Sequence, residues 1–134
     1  MKTTLIDSNV LIDIATKYSE WSEWSAEMVE SVADESRLAI NALIYAEVSL
    51  SYEKIEELEN ALPAELFKRV PLPFEAGFLA GRAFLKYRRR GGTRTSPLPD
   101  FYIGAHAAVS GYRILTRDPR RYRDYFPTVE LISP

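Results

Sequence analysis

Short apolar runs alternate along this chain with stretches in which apolar residues recur at helical spacing. The apolar runs predict strands at residues 3–6, 37–40 and 112–115, a possible strand at 67–72 and a last one at 128–132. The helical spacing predicts helices at residues 8–18, 21–34, 42–50, 52–62, 75–89 and 101–109. Strands that are apolar throughout and alternate with helices are typical of a parallel sheet covered on both faces, so we expect an α/β fold.

Composition favours one folded domain over residues 1–134. Apolar residues make up 46% of the chain, which is too many for a disordered protein. The longest apolar runs fall short of the roughly 20 residues that a membrane helix needs, and the N-terminus lacks the apolar stretch of a signal peptide. The absence of cysteine excludes disulfides and thiolate metal sites and fits a cytoplasmic protein.

The net charge of −2 conceals a strong asymmetry. Residues 1–65 carry 4 basic and 14 acidic side chains, a balance of −10, whereas residues 66–134 carry 13 basic and 5 acidic ones, a balance of +8. A basic segment of this kind often meets an anionic partner. The alternative is that both sets of charges are solvated and interleave in the fold.

Four acidic residues occupy informative positions. Asp7 directly follows the first strand, and Asp118 follows the strand at 112–115 after two residues. Asp100 opens the helix at 101–109, and Glu47 lies within an apolar stripe of the helix at 42–50. Because ligands of parallel sheets bind beyond the carboxyl ends of the strands, these carboxylates are candidates for one shared site.

Each acid also has a simpler explanation. Asp7 and Asp100 could cap helices, Asp118 could open a turn before Pro119, and Glu47 could reach solvent at the edge of its stripe. Taken together, four converging carboxylates would repel one another unless a cation balanced them. Oxygen ligands without cysteine or suitably spaced histidine select Mg²⁺ or Mn²⁺, and Mg²⁺ commonly serves phosphodiester chemistry.

The same residues carry a resemblance to a known family. The sequence resembles PIN-domain ribonucleases, in particular VapC-type toxins, through LIDSNVLID around Asp7, NALIYAEV around Glu47, PDFYIGAHA around Asp100 and LTRDPRRY around Asp118. The resemblance implies a three-layer sandwich with a parallel sheet of about five strands. It also implies a cytoplasmic, Mg²⁺- or Mn²⁺-dependent endoribonuclease that cuts RNA, has a cognate antitoxin protein as its partner and forms a homodimer.

The resemblance also implies roles for individual residues. Asp7, Asp100 and Asp118 correspond to metal ligands, and Glu47 completes the metal's surroundings or orients the attacking water. Asn9 and Thr116 correspond to residues that hold the carboxylates or water by hydrogen bonds, although ordinary polarity at a helix start would also explain them.

Other candidates rest on the residues alone. A basic group before Asp100 is expected to bind RNA phosphate, and its alternative is a solvated helix end; it consists of Arg88, Arg89, Arg90 and Arg94. His106 is expected to be packed or at the surface and not a ligand. Trp21 and Trp24 are expected to cover the core, the alternative being an exposed groove for a partner peptide.

Three other functions compete with the ribonuclease. A haloacid-dehalogenase-type phosphatase needs a second Asp where this chain has Asn9. A phospho-accepting receiver domain needs an acidic pair after the first strand and a late Lys, but residue 6 is Ile and no Lys follows Lys86. A catalytically silent PIN-like RNA-binding scaffold is disfavoured because all four acids are present.

Overall fold

One parallel sheet forms the centre of the molecule. The computed structural model describes residues 1–17, 19–95 and 98–134. Within them the strands are β1 Lys2–Ile6, β2 Ser36–Ile40, β3 Phe67–Arg69, β4 Arg113–Leu115 and β5 Leu131–Ile132. They pair in the order β3-β2-β1-β4-β5, and every pairing is parallel.

Helices connect and cover these strands. In the described residues they are α1 Ser8–Ala15, α2 Ser22–Glu35, α3 Ala42–Ser49, α4 Ile55–Ala61, α5 Phe74–Arg89, α6 Pro99–Ser110 and α7 Arg120–Tyr125. Helices α1 and α2 pack on each other and α2 contacts β1 and β2, whereas α5 packs on α6, which contacts β4 and α7. The result is the expected α/β sandwich with a five-stranded parallel sheet.

The core lies around β1, whose residues Leu5 and Ile6 are fully buried. Central strands of parallel sheets are covered on both faces, which is why apolar side chains follow one another here instead of alternating. In the parts of the chain that the structure describes, no helix is long and apolar enough to cross a membrane.

The strand order places a topological switch point between β1 and β4. The chain leaves β1 towards β2 and β3, and then returns to the other side of β1 for β4 and β5. Ligands of open α/β sheets bind at such a point, beyond the carboxyl ends of the strands. Asp7 follows β1 there and Thr116 follows β4.

Several predicted boundaries are wrong. The helix expected at 8–18 ends at Ala15, and residue 18 lies outside the described residues. The strand expected at 67–72 ends at Arg69 because Pro71 and Pro73 lack the N–H that a ladder requires. The helix expected at 52–62 is shorter, the last strand has two residues, and α7 was not predicted.

Candidate active site

Asp7 is a buried carboxylate held by two hydroxyl groups from distant parts of the chain. Its backbone N–H donates to the carbonyl of Leu115 on β4 (2.9 Å), and its side chain is 3% exposed. Oδ2 accepts hydrogen bonds from Thr116 Oγ1 (2.9 Å) and from the Tyr122 hydroxyl (2.8 Å). Although Asp7 occupies the N-cap position of α1, its carboxylate makes no capping hydrogen bond with described residues. Helix capping therefore does not explain this acid.

Asn9 and Thr116 join the loop after β4 to the start of α1. The Asn9 amide donates to Thr116 Oγ1 (3.2 Å) and more weakly to Asp7 Oδ2 (3.4 Å). Asn9 Oδ1 accepts from the backbone N–H of Arg117 (3.1 Å), and Thr116 Oγ1 accepts from that of Asp118 (3.1 Å). The two polar residues predicted to hold carboxylates thus fix both the Asp7 side chain and the backbone that carries Asp118.

The electrostatic environment of Asp7 is unfavourable for an anion. Burial raises its pKa to about 6, and the nearby carboxylate of Asp100 contributes to the rise, with a smaller effect from Glu47. The hydrogen bonds from Tyr122 and Thr116 oppose these effects. The three carboxylates are therefore close enough to repel one another, as the sequence predicted for a shared site.

Glu47 is half-buried on α3, and its Oε1 accepts a hydrogen bond from Ser8 Oγ (3.0 Å). Burial raises the pKa of Glu47, the Ser8 hydrogen bond opposes this, and Asp100 adds to it. Glu47 is thus not a surface side chain directed away from the site. It joins Asp7 and Asp100 from a third element.

Asp100 enters from the first turn of α6. This helix starts at Pro99, its N-cap residue is Leu98, and Asp100 is its second residue rather than its cap. Arg121 Nη1 lies 3.4 Å from Asp100 Oδ2. Burial raises the pKa of Asp100 and Asp118 raises it further, while the Arg121 guanidinium lowers it.

Asp118 differs from the other three acids because it lies at the rim. Its side chain is 48% exposed and forms a two-point ion pair with Arg120, with distances of 3.0 and 3.1 Å. The hydrogen bond with Arg120 lowers the pKa of Asp118. Asp118 is thus near enough to influence Asp100 but is paired with its own arginine.

An open cavity of about 400 Å³ adjoins these acids. Its lining combines acidic, basic and aromatic side chains: Tyr87, Asp100, Asp118, Arg120, Arg121, Asp124 and Tyr125. We call it the tyrosine–arginine cavity.

The predicted basic group divides into two parts. The Arg90 guanidinium lies 5.0 Å from the centre of the ring of Tyr125, which lines the tyrosine–arginine cavity. Arg88 instead donates to the carbonyl of Arg94 (2.6 Å) and lies over Phe84. None of the four arginines is among the residues that line the cavity.

The remaining candidates are structural. His106 is 1% exposed and its Nδ1 lies 3.0 Å from the Asn41 amide, which confirms that it is a packed residue. Trp24 packs against the core as expected, whereas Trp21 is not among the residues packed against it. Trp21 meets Trp24 edge to face at 5.9 Å and carries the Arg117 guanidinium at 6.0 Å.

Three site residues were not predicted from the sequence: Arg120, Arg121 and Tyr122, which all belong to α7. A helix of six residues is too short to show apolar periodicity. The available signal was Pro119, a residue common at helix starts, followed by two arginines and a tyrosine directly after a candidate acid.

The donor chemistry of the site suits a hard divalent cation. Among the described residues no hydrogen bond reaches Oδ1 of Asp7, which leaves this oxygen available. In the same residues no three acidic or histidine side chains are arranged to hold one ion. Arginine guanidiniums supply positive charge to Asp100 and Asp118, where a cation would otherwise be needed. The carboxylate oxygens are thus of the type that such an ion prefers, but Asp100 and Asp118 are paired with arginines in this structure.

Solved structures of toxin–antitoxin complexes contain chains with a similar fold. No curated protein sequence matches the chain significantly. VapBC2 from Rickettsia felis, bound to promoter DNA, has a chain that matches with a TM-score of 0.74 and 15% identity over 98% of both chains. DNA-bound VapBC from Salmonella typhimurium matches with a TM-score of 0.70 and 19% identity, covering 99% of this chain and 98% of that chain. A toxin–antitoxin complex from Klebsiella pneumoniae matches with a TM-score of 0.69 and 20% identity over 94% of both chains.

At these identities the structural likeness concerns the fold. The family evidence is separate: the profile of the PIN domain matches residues 4–125, which include all four acids. This match also sets aside the phosphatase and receiver-domain interpretations. The chain belongs to the PIN domain family.

Proposed function

We propose that this PIN domain is a Mg²⁺- or Mn²⁺-dependent endoribonuclease that acts as the toxin of a toxin–antitoxin pair, in the manner of VapC. The observation that carries the proposal is the buried Asp7, fixed by Thr116 and Tyr122 within range of Asp100 and Glu47. A structural acid would be paired with a cation. Asp7 instead has no cationic partner among the described residues, and burial, together with repulsion from Asp100 and Glu47, raises its pKa, which is typical of functional sites.

Asp7, Asp100 and Asp118 would hold the divalent ion. When bound, the ion lowers the pKa of a coordinated water and offsets negative charge on the phosphate. Arg121 and Arg120 would then release Asp100 and Asp118, and both guanidiniums would become available to substrate phosphate.

The other residues of the site orient groups or transfer protons. Thr116 and Tyr122 keep Oδ2 of Asp7 occupied, so that Oδ1 is the oxygen presented to the ion. Ser8 occupies Oε1 of Glu47, which leaves Oε2 to accept a proton from the attacking water. The raised pKa of Glu47 makes it a better base than an exposed carboxylate.

Cleavage of total RNA with and without Mg²⁺ tests the nuclease proposal. We expect fragments with Mg²⁺ or Mn²⁺, none in excess chelator, and none from Asp100→Asn. Undiminished cleavage by wild-type protein in chelator would contradict the metal requirement.

An apolar groove supports the antitoxin part of the proposal. It has a volume of about 530 Å³ and lies among α1, α2 and the residues from α3 to β3; its lining includes Leu11, Ile14, Ala26, Val29, Val48, Tyr52, Leu62 and Phe67. Glu30 and Asp34 border it. We propose that the antitoxin lays an amphipathic segment here, with apolar residues in the groove and a basic residue beside these acids. The similar complex from Klebsiella pneumoniae consists of a toxin and an antitoxin, which supports a partner of this kind.

Expression tests the toxin role separately from the nuclease. The protein alone should slow growth of its host, and co-expression of a neighbouring short reading frame should restore it. Robust growth in the presence of active nuclease would refute the toxin role and leave the nuclease proposal intact.

A second copy of the chain is the other proposed partner. Phe74 is 96% exposed and Phe78, one turn later on α5, is 69% exposed, which supports burial of this face in a homodimer. Light scattering after size exclusion should give twice the chain mass, and Phe74→Glu with Phe78→Glu should halve it.

A further inference from the structure

The tyrosine–arginine cavity has features that metal binding does not require. Tyr87 and Tyr125 are half-buried and leave part of their rings at the cavity wall. Both rings meet Phe101 edge to face, at 5.6 and 5.3 Å, so they are braced from behind by a buried aromatic residue. A braced aromatic surface beside an acidic site is a suitable platform for a planar group.

The guanidinium of Arg90 lies over one face of the Tyr125 ring. The Arg90 guanidinium lies 5.0 Å from the ring centre, and Arg90 is exposed. Within the described residues Arg90 forms no hydrogen bond or ion pair through its side chain, so the ring is its main partner. A planar cation over a tyrosine face occupies the position that a stacked nucleobase would take, and an exposed contact of this kind is weak enough to be displaced.

A second arginine lies between the ring platform and the acids. Arg121 approaches Asp100 only to 3.4 Å, and its guanidinium lies 5.6 Å from the Phe101 ring centre and 5.9 Å from that of Tyr87. Its side chain is 36% exposed. An arginine held in place by rings but only weakly bonded to a carboxylate is well suited to bind a phosphate group.

We propose that the tyrosine–arginine cavity binds one unpaired nucleotide of the RNA substrate, next to the phosphate that is cut. The base stacks on Tyr125 in place of Arg90, and the adjoining phosphate bonds to Arg121 and to the displaced Arg90. This inference rests on the proposed ribonuclease function and adds a requirement that the acidic site alone does not make. A base inside a duplex has no free face, so the cavity selects single-stranded RNA.

The charges of the cavity favour this occupant over a cationic peptide. Asp100, Asp118 and Asp124 line it, but Arg120 and Arg121 line it too, and Arg90 lies over the ring of the lining residue Tyr125. A basic peptide would meet three guanidiniums. A nucleotide uses the guanidiniums for phosphate and the ring for its base, and Asp124, which has no part in holding the ion, for an amino group or the 2′-hydroxyl.

The test is RNA binding by the whole chain in chelator, which prevents cleavage. A labelled single-stranded RNA and the same RNA annealed to its complement are titrated, and fluorescence anisotropy gives the two dissociation constants. Tyr125→Leu removes the platform and should weaken single-strand binding about tenfold while leaving duplex binding unchanged, since stacking on one aromatic residue has roughly this effect. Tyr125→Phe keeps the ring and should bind like wild type.

Two matched controls locate the effect. Tyr112→Leu removes another half-buried tyrosine, which packs on His106 at the opposite, amino edge of β4, and should not change RNA binding. Arg90→Gln should weaken single-strand binding, whereas Arg82→Gln removes a similar arginine over Phe78 (4.9 Å) and should have no effect. Thermal melts show whether Tyr125→Leu remains folded. Because Arg90 is exposed, Arg90→Gln tests the subsite even if Tyr125→Leu does not fold.

The results of these binding experiments distinguish a failure of the proposed nucleotide subsite from a failure of the proposed ribonuclease function. If wild type binds and cuts RNA but Tyr125→Leu and Arg90→Gln bind single strands as wild type does, the subsite is wrong and the ribonuclease proposal stands. If wild type neither binds RNA in chelator nor cuts it with Mg²⁺, both proposals fail. Equal weakening of duplex and single-strand binding would show that these residues hold phosphate without base stacking and would overturn the inference.

Discussion

The hydroxyl of Tyr122 lies 2.8 Å from Oδ2 of Asp7, and both side chains are almost completely buried. The bond joins a six-residue helix near the C-terminus to the end of the first strand, 115 positions earlier. Because Thr116 donates to the same oxygen, the carboxylate is held in one orientation, with Oδ1 left for another partner. Tyr122 is thus a positioning residue for the acidic site.

We expect Tyr122→Phe to destabilise the protein by about 1.5–3 kcal/mol near neutral pH, since a hydrogen bond to a buried charged group is removed. Urea unfolding measures this free energy. Tyr125→Phe is the control, because no described residue bonds to the Tyr125 hydroxyl. Metal affinity should fall in Tyr122→Phe only; equal affinity in the two variants would contradict the positioning role.

The raised pKa of Asp7 makes stability depend on pH. The folded protein binds a proton at Asp7 more tightly than the unfolded chain does. Protonation of Asp7 therefore stabilises the folded state fully below the unfolded pKa of 3.8, and this stabilisation is lost as the pH rises through about 6. Without metal, Asp7→Asn should therefore stabilise the protein above pH 7, by up to about 3 kcal/mol, and should lose this advantage near pH 4.

Thermal melts across pH in chelator measure the effect of Asp7→Asn. Asp118→Asn is the contrasting variant: the Arg120 guanidinium lowers the pKa of Asp118, so removing its charge should not stabilise the protein. A gain from Asp7→Asn that stays constant from pH 4 to 8 would show that neither burial of the Asp7 charge nor its repulsion by nearby acids is the cause.

The basic group can be separated from the chemistry by salt dependence. Arg89→Ala combined with Arg90→Ala should weaken RNA binding and flatten the salt dependence, with the slope changing by about 0.7 for each phosphate of the single strand that is no longer neutralised. We expect this change for a single phosphate, because of the two arginines only Arg90 contacts a residue that lines the cavity, Tyr125. Mg²⁺ affinity should be unchanged, whereas Asp100→Asn should lose metal and turnover but retain RNA affinity. Isothermal titration with metal and RNA binding across a salt series distinguish the two classes.

The groove can likewise be separated from the active site. Ile14 is 36% exposed within the apolar groove, so Ile14→Asp should abolish rescue by the antitoxin without reducing RNA cleavage. Val109→Asp is the control, because Val109 is similarly exposed on α6 and does not line the groove. If Ile14→Asp is rescued as well as Val109→Asp, the antitoxin binds elsewhere.

The fold could be predicted because its strands are apolar throughout and its helices show apolar periodicity. The candidate site could be predicted in part, because the acids stand at strand ends and in helix first turns, as at Asp7 and Asp100. The strand that begins at Phe67 was predicted too long, because apolar residues continue past Arg69. Pro71 and Pro73 then lack the N–H that strand pairing requires.

What could not be predicted depends on contacts between residues that are distant in sequence. Arg120 and Arg121 belong to a helix too short for a periodic pattern, and only the folded chain shows that they pair with Asp118 and Asp100. For the same reason the predicted basic group was not resolved into Arg90, which lies over Tyr125, and Arg88, which bonds to its own loop.

The most direct test of the proposed function is the rate of RNA cleavage as a function of Mg²⁺ and Mn²⁺ concentration, for wild type and for Asp100→Asn purified identically. The proposal predicts cleavage by wild type that rises and saturates with either ion and is abolished by chelator, and no cleavage by Asp100→Asn at any concentration. Wild-type cleavage that is independent of divalent ions, or equal cleavage by Asp100→Asn, would contradict a metal-dependent acidic site.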